Sequence, residues 1–132
     1  MPSTPTRTAT MTPTAVPRLS TPRLLNPENG LEIRGSNAQI KLSWEPAGVL
    51  AEDEWYALSV RFLADGVVQY GGTWTNETNW MIPSDLYMKA GQFERAFQWD
   101  VIVMRQTGTK PDGGREGAPI SAASETRAFF WY

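Results

Sequence analysis

Residues 39–48 read QIKLSWEPAG. Ile40, Leu42 and Trp44 alternate with Gln39, Lys41 and Ser43, the period of a strand with one buried face. Pro46 ends the run, because proline cannot donate to a sheet ladder. A tryptophan closing a short half-buried strand brings a large apolar area to one face and reads as a core plug that needs one partner for its indole N–H.

Outward from this strand the chain resolves into short strands separated by turn signals. RLLNPENG (23–30) is a short strand ending at Asn26-Pro27 and Asn29-Gly30, and LEIRG (31–35) is a short edge segment. Residues 54–63 place Tyr56, Leu58, Val60 and Phe62 on one face, with Trp55, Ala57, Ser59 and Arg61 on the other. Asp65-Gly66 predicts a tight hairpin. It leads into VVQYGGTWT (67–75), where Gly71-Gly72 predicts a bulge or bend. NWMIP (79–83) is another short strand, and SDLYMKAGQ (84–92) holds at most one helical turn. RAFQWDVIVMRQ (95–106) places Phe97, Trp99, Val101 and Val103 on one face. TGTKPDGGREG (107–117) reads as a long polar hairpin loop and SETRAFFWY (124–132) as the last strand. About seven short strands predict an all-β antiparallel sandwich over residues 23–132. Trp44, Tyr56, Leu58, Val60, Phe97, Trp99 and Val101 are its expected core.

Several of these stretches, in this order, resemble the fibronectin type III domain. IKLSWEP resembles its strand B, whose core tryptophan precedes a proline. EWYALSV resembles the tyrosine-bearing strand C, and FQWDVIV the aromatic pattern of strand F. GAPISAAS (117–124) resembles the Gly-x-x-Ser-x-x-Ser run between strands F and G. The likeness covers residues 23–132. Two features depart from it. The strand F tyrosine, which ties a loop through its hydroxyl, falls at Phe97, leaving Leu86 only the packing half of that corner. The segment LYMKAGQFER (86–95) is longer than usual.

Residues 1–22 are dominated by Pro and Thr, with no aromatic and no acidic residue. Such a segment buries too little apolar surface to offset its ordering entropy, and its prolines favour extended conformations. It is expected to be a spacer without tertiary contacts. The aromatic pattern beside such a linker resembles repeats of bacterial surface and membrane-anchored proteins, which implies an extracytoplasmic domain on a stalk. No signal-peptide core is present at the N-terminus of this chain, and the sequence does not say whether Met1 is the native start.

Composition narrows the chemistry. The 132 residues carry 12 Lys and Arg against 14 Asp and Glu, a formal charge of −2. With no basic stripe or nucleic-acid motif, a nucleic-acid partner is not expected. No stretch approaches the ~20 apolar residues of a membrane span. The chain has no cysteine and no histidine, which removes disulfides, thiolate metal sites and His-dependent nucleophilic catalysis. Among Glu77, Asp85, Glu94 and Asp100 nothing selects a catalytic pair. The run Glu52-Asp53-Glu54 lacks calcium-loop spacing and reads as a solvated loop. No catalytic residue, cofactor or metal ligand is assigned, and the chain is not expected to be an enzyme.

What remains is binding. Strands C, F and G should be neighbours, and their outward phase is unusually apolar: Trp55, Ile102, Met104 and, on the last strand, Phe130. A face open to water normally carries polar residues, so these four are expected to form a protein-docking or self-association patch, unless the N-terminal segment or the 107–117 loop folds over them or the strand phase slips at a bulge. The alternative is a carbohydrate-binding module whose exposed rings, Tyr70, Trp74 and Trp80, stack on sugars.

Overall fold

A computed structural model describes residues 18–132 of the chain. Nine strands form two sheets. β1 (Arg23–Asn26), β3 (Lys41–Glu45) and β6 (Asn79–Met81) make a three-stranded sheet in the order β1-β3-β6. The second sheet runs β2 (Leu31–Ile33), β9 (Arg127–Trp131), β7 (Ala96–Thr109), β4 (Glu54–Ala64), β5 (Val67–Thr75), with β8 (Arg115–Pro119) pairing the far half of β7. All pairings are antiparallel except β2 with β9. The expected neighbours therefore adjoin, with β7 between β4 and β9. The strand count exceeds about seven because the first and last strands are each broken in two.

The inward phases are those the alternation dictates. Tyr56, Leu58, Val60 and Phe62 on β4 face the core with Phe97, Trp99, Val101 and Val103 on β7. From the other sheet come Leu24, Leu42 and Trp44. The pairing of Phe97 with Phe129 turns Phe129 inward and Phe130 outward. Phe97 stacks on Phe129 with ring centroids 5.4 Å apart, and Phe62 lies 5.2 Å from Phe97.

Trp44 is 1% exposed and meets Tyr56 edge-on, with centroids 5.6 Å apart. Beyond Pro46 the Ala47 N–H donates to the Tyr56 hydroxyl at 2.9 Å. The tryptophan, the strand-ending proline and the tyrosine of β4 thus form one packed unit. The expected partner for the Trp44 indole N–H is absent among the described residues.

The chain before β1 packs onto this unit. Leu19 is buried against the Pro46–Gly48 turn, and the Ser20 N–H donates to the Ala47 carbonyl at 2.9 Å. Pro22 is also buried. The folded unit therefore reaches back to Arg18, which corrects the expectation that residues 18–22 make no tertiary contact. The spacer expectation for residues 1–17 lies outside the described residues.

Three connections show how local chemistry shapes the frame. Asp65 (φ 53°) and Gly66 (φ 77°) form the two-residue hairpin turn between β4 and β5, as expected. The run 117–124 explains how the last strand breaks without orphaning β7. Ser121 Oγ accepts from Val103 N–H at 3.0 Å, and Ser124 Oγ accepts from Val101 N–H at 2.9 Å. Side-chain oxygens thus replace ladder carbonyls, so no buried N–H is stranded. The third is Arg95. Phe97 offers no hydroxyl, and Arg95 makes the tie instead. It donates to the carbonyls of Tyr87 (3.0 Å), Gly91 (3.2 Å) and Trp131 (2.8 Å), and its guanidinium lies 4.1 Å from the Tyr87 ring centroid. It fastens the short helix α1 (Asp85–Lys89) to β9, while Leu86 of that helix is buried, as expected.

Two expectations are corrected. The polar stretch 107–117 is mostly strand: β7 runs to Thr109, β8 starts at Arg115, and only Lys110–Gly114 form the turn, closed by Lys110 N–H to the Gly114 carbonyl at 2.7 Å. Gly71-Gly72 makes no bulge, since Val60 pairs Gly71 and Ser59 pairs Gly72 in unbroken register.

Candidate interaction face

The outward face of the larger sheet is built from β4, β5, β7 and β9, whose inward residues are already spent on the core. Pairing fixes its rows. Trp55 lies beside Met104, and Ala57 between Trp74 and Ile102. Arg61 lies between Tyr70 and Gln98, and Ala96 beside Phe130. The face has a covered end, a polar waist and an open end.

At the covered end Trp55, Ile102 and Met104 come together but are half-buried. Met104 pairs with Pro119 of β8, and a register shift between Gln106 and Gly108 bends the β7–β8 arm. The arm reaches Trp74, whose ring carbon would lie 2.8 Å from a Cβ at Gly117. The Arg115 guanidinium sits 4.2 Å from the centroid of the Trp55 ring. Part of the apolar phase read from the sequence is therefore covered by this chain's own hairpin.

The waist is an ion pair. Arg61 donates to Asp100 at 3.0 Å and to Ser59 Oγ at 3.1 Å. Asp100 is half-buried in this pair.

The open end carries Leu63, Val68, Tyr70, Phe93, Phe130 and Tyr132. Tyr70 is 71% exposed and Phe93 89%. A shallow groove of 380 Å³ runs between Arg61, Leu63, Val68, Tyr70 and Gln98. It adjoins a second, of 250 Å³, between Leu63, Phe93, Ala96, Phe130 and Tyr132, with the charged Glu94 and Arg95 also in its lining. Phe130 and Tyr132 stack with centroids 6.4 Å apart, and Arg34 caps Tyr132 at 5.1 Å.

Phe130 therefore does not join the other three residues expected to share its patch. It pairs with Ala96 while Trp55 pairs with Met104, and those rungs are about 26 Å apart along β7. The sugar-binding trio also divides. Tyr70 and Trp74 share the outward face of β5, but Trp80 on β6 pairs with buried Leu42 and packs against the core. Nothing in the sequence singles out Leu63, Val68, Phe93 and Tyr132. Each is a single apolar residue on a separate segment, and only the pairing register brings them together.

At the opposite pole the acidic run corrects another expectation. Glu54 is 1% exposed rather than solvated. Its carboxylate accepts from Arg18, from the Ala51 N–H at 2.7 Å and from Arg105 at 3.1 Å. The Arg18 hydrogen bond, then the Ala51 N–H and Arg105, hold its pKa down to about 2 from an ordinary 4.5. A depressed carboxylate stabilises the fold above its unfolded pKa, and that contribution is lost as pH falls from about 4.5 towards 2. Because Arg18 is half-exposed and its attraction is screened by water, Glu54→Gln should cost about 1–2 kcal/mol at neutral pH and progressively less on acidification. Urea melts of both proteins at matched pH values test this; a cost independent of pH would mean that Glu54 is not held ionised by these partners. Among the described residues, no cluster of His, Cys, Asp and Glu has the makings of a metal site. Nor is any described helix long and apolar enough to cross a membrane.

No protein-family model matches the chain, and no curated protein matches it.

Proposed function

We propose that this chain is a non-catalytic, fibronectin type III-like module that presents a protein-docking face, carried outside the cytoplasm on its Pro/Thr-rich segment as part of a surface assembly. The observation that carries the reading is the open end of the outward sheet face. Two adjoining grooves bordered by Leu63, Val68, Tyr70, Phe93, Phe130 and Tyr132, with Arg61, Gln98, Glu94 and Arg95 as their polar lining, gather apolar and aromatic side chains where water-facing strands would carry polar ones. Aromatic residues are enriched in protein interfaces. Support for the family likeness comes from the sheet order, with β4, β7 and β9 standing where strands C, F and G would, and from the serines of the 117–124 run bonded to β7.

The test is the double variant Leu63→Ser with Phe93→Ser in the full chain. Both side chains are exposed, so folding stability should change by no more than about 0.5–1 kcal/mol. Retention of partners from the native cell-surface fraction, or self-association, should weaken about tenfold or more. Unchanged association with an intact fold would remove this end of the face as the docking surface.

A further inference from the structure

Among the described residues one long sheet edge is unguarded. There β5 ends the larger sheet and pairs with β4 alone. An edge strand presents unpaired backbone N–H and C=O groups, and stable monomers blunt such edges with charge, proline or shortness. The other edges here are blunted. β2 has three residues and carries Glu32, and β6 has three. β1 has four residues and begins with Arg23. β8 carries Arg115, Glu116 and Pro119. β5 has nine residues, VVQYGGTWT, with no charge and no proline.

We propose that β5 is a homodimerisation edge, through which two copies of this chain pair antiparallel over residues 67–75 about a two-fold axis at Gly71. The proposal rests on the protein-interaction reading and commits it to a second copy. The pattern of β5 is complementary to its own reverse. About that axis Val68 faces the copy's Trp74 and Val67 its Thr75. Gln69 faces Thr73, and Tyr70 faces Gly72. No charges meet within the paired residues. The Tyr70 ring, 71% exposed in the single chain, lies over a glycine of the copy that has no side chain to pack. Val68 and Tyr70 also line the open groove, so strand pairing extends the apolar face of one copy into that of the other. An isologous contact of this kind closes at two copies.

Two measurements on the full chain test the dimer. In sedimentation velocity over a range of concentrations, the unaltered chain should show a concentration-dependent dimer. Val68→Lys with Tyr70→Lys, both exposed positions, should weaken it about tenfold or more while leaving the melting curve in place. Register is read by oxidation, because the chain has no cysteine of its own. Gln69→Cys with Thr73→Cys should yield covalent dimers. Within one chain these positions are about 13 Å apart on a strand, too far to bridge. Val67→Cys with Thr73→Cys, which the two-fold does not place opposite each other, should not cross-link. A dimer that survives the lysine pair overturns the proposal, as does equal cross-linking of the two cysteine pairs. A chain that stays monomeric yet still retains a surface partner overturns the dimer and leaves the docking reading standing. A monomer that retains nothing overturns both.

Discussion

Trp44→Ala is expected to lower folding stability by roughly 3–5 kcal/mol, the range for truncating a large core aromatic. The side chain is essentially inaccessible and sits where the two sheets and the chain before β1 converge. Alanine would leave a cavity that the surrounding frame cannot easily close. β3 is hydrogen-bonded on both sides, to β1 and β6, and Tyr56 is held in place by the Ala47 N–H. The edge-on contact with Tyr56 is lost as well, worth about 0.5–1.5 kcal/mol beyond area. Domains of this size are stable by only about 5–15 kcal/mol, so the variant should lie near the edge of folding. Trp44→Phe separates the contributions. The indole N–H has no hydrogen-bond partner among the described residues, so phenylalanine removes no bond and loses only volume. It should cost clearly less than alanine. Urea melts of the three proteins give the comparison, and an alanine cost below about 1 kcal/mol would place Trp44 outside the core.

The core was legible because its signal is local. On β3, β4 and β7 the side chains alternate without interruption, and a period of two leaves no freedom over which residues face in. The Asp65-Gly66 turn was legible for the same reason. Arg95 was not. An arginine before a strand has many roles, and only the fold brings the Tyr87, Gly91 and Trp131 carbonyls around it. Glu54 was misread because its partners Arg18 and Arg105 lie 36 and 51 residues away. The β7–β8 arm reads as a loop in the sequence because exposed strands, needing no buried face, carry no apolar alternation.

The same distinction governs the candidate face. The outward phase of Trp55, Ile102 and Met104 was correctly read, and each does point away from the core. That residues 107–117 cover them is one of the two outcomes the sequence leaves open, because the arm is polar and its bend comes from a register shift rather than a residue pattern. The open end assembles from five segments, each contributing one or two apolar residues. No window of sequence contains a patch of that kind, whereas the pairing of Leu63 with Val68 and of Ala96 with Phe130 does.

Gly72→Ala should be as damaging as the loss of the tryptophan, for the opposite reason. Here an added methyl has nowhere to go. Gly72 has φ +141°, a conformation that side-chain-bearing residues rarely adopt, and its Cβ would overlap the Leu58 carbonyl oxygen on the neighbouring strand. Relief would require either strand to shift. β4 is held by β5 on one side and β7 on the other through eight or more consecutive pairs each, so it cannot yield locally. Backbone strain of this kind costs about 1–3 kcal/mol by itself, and overpacking adds about 1–3 more. The expected total is about 2–6 kcal/mol, or displacement of the β5 edge from the sheet. Gly108→Ala is the matched control. It also lies in the larger sheet, has no positive φ and would meet nothing within 4 Å. It should stay within about 0.5 kcal/mol of the parent. The sequence pair Gly71-Gly72 suggested a bulge, a place where register is lost. The pairing shows glycine used instead to keep register where two backbones approach too closely for a side chain. Equal melting of the two alanine variants would mean that no such approach exists at Gly72.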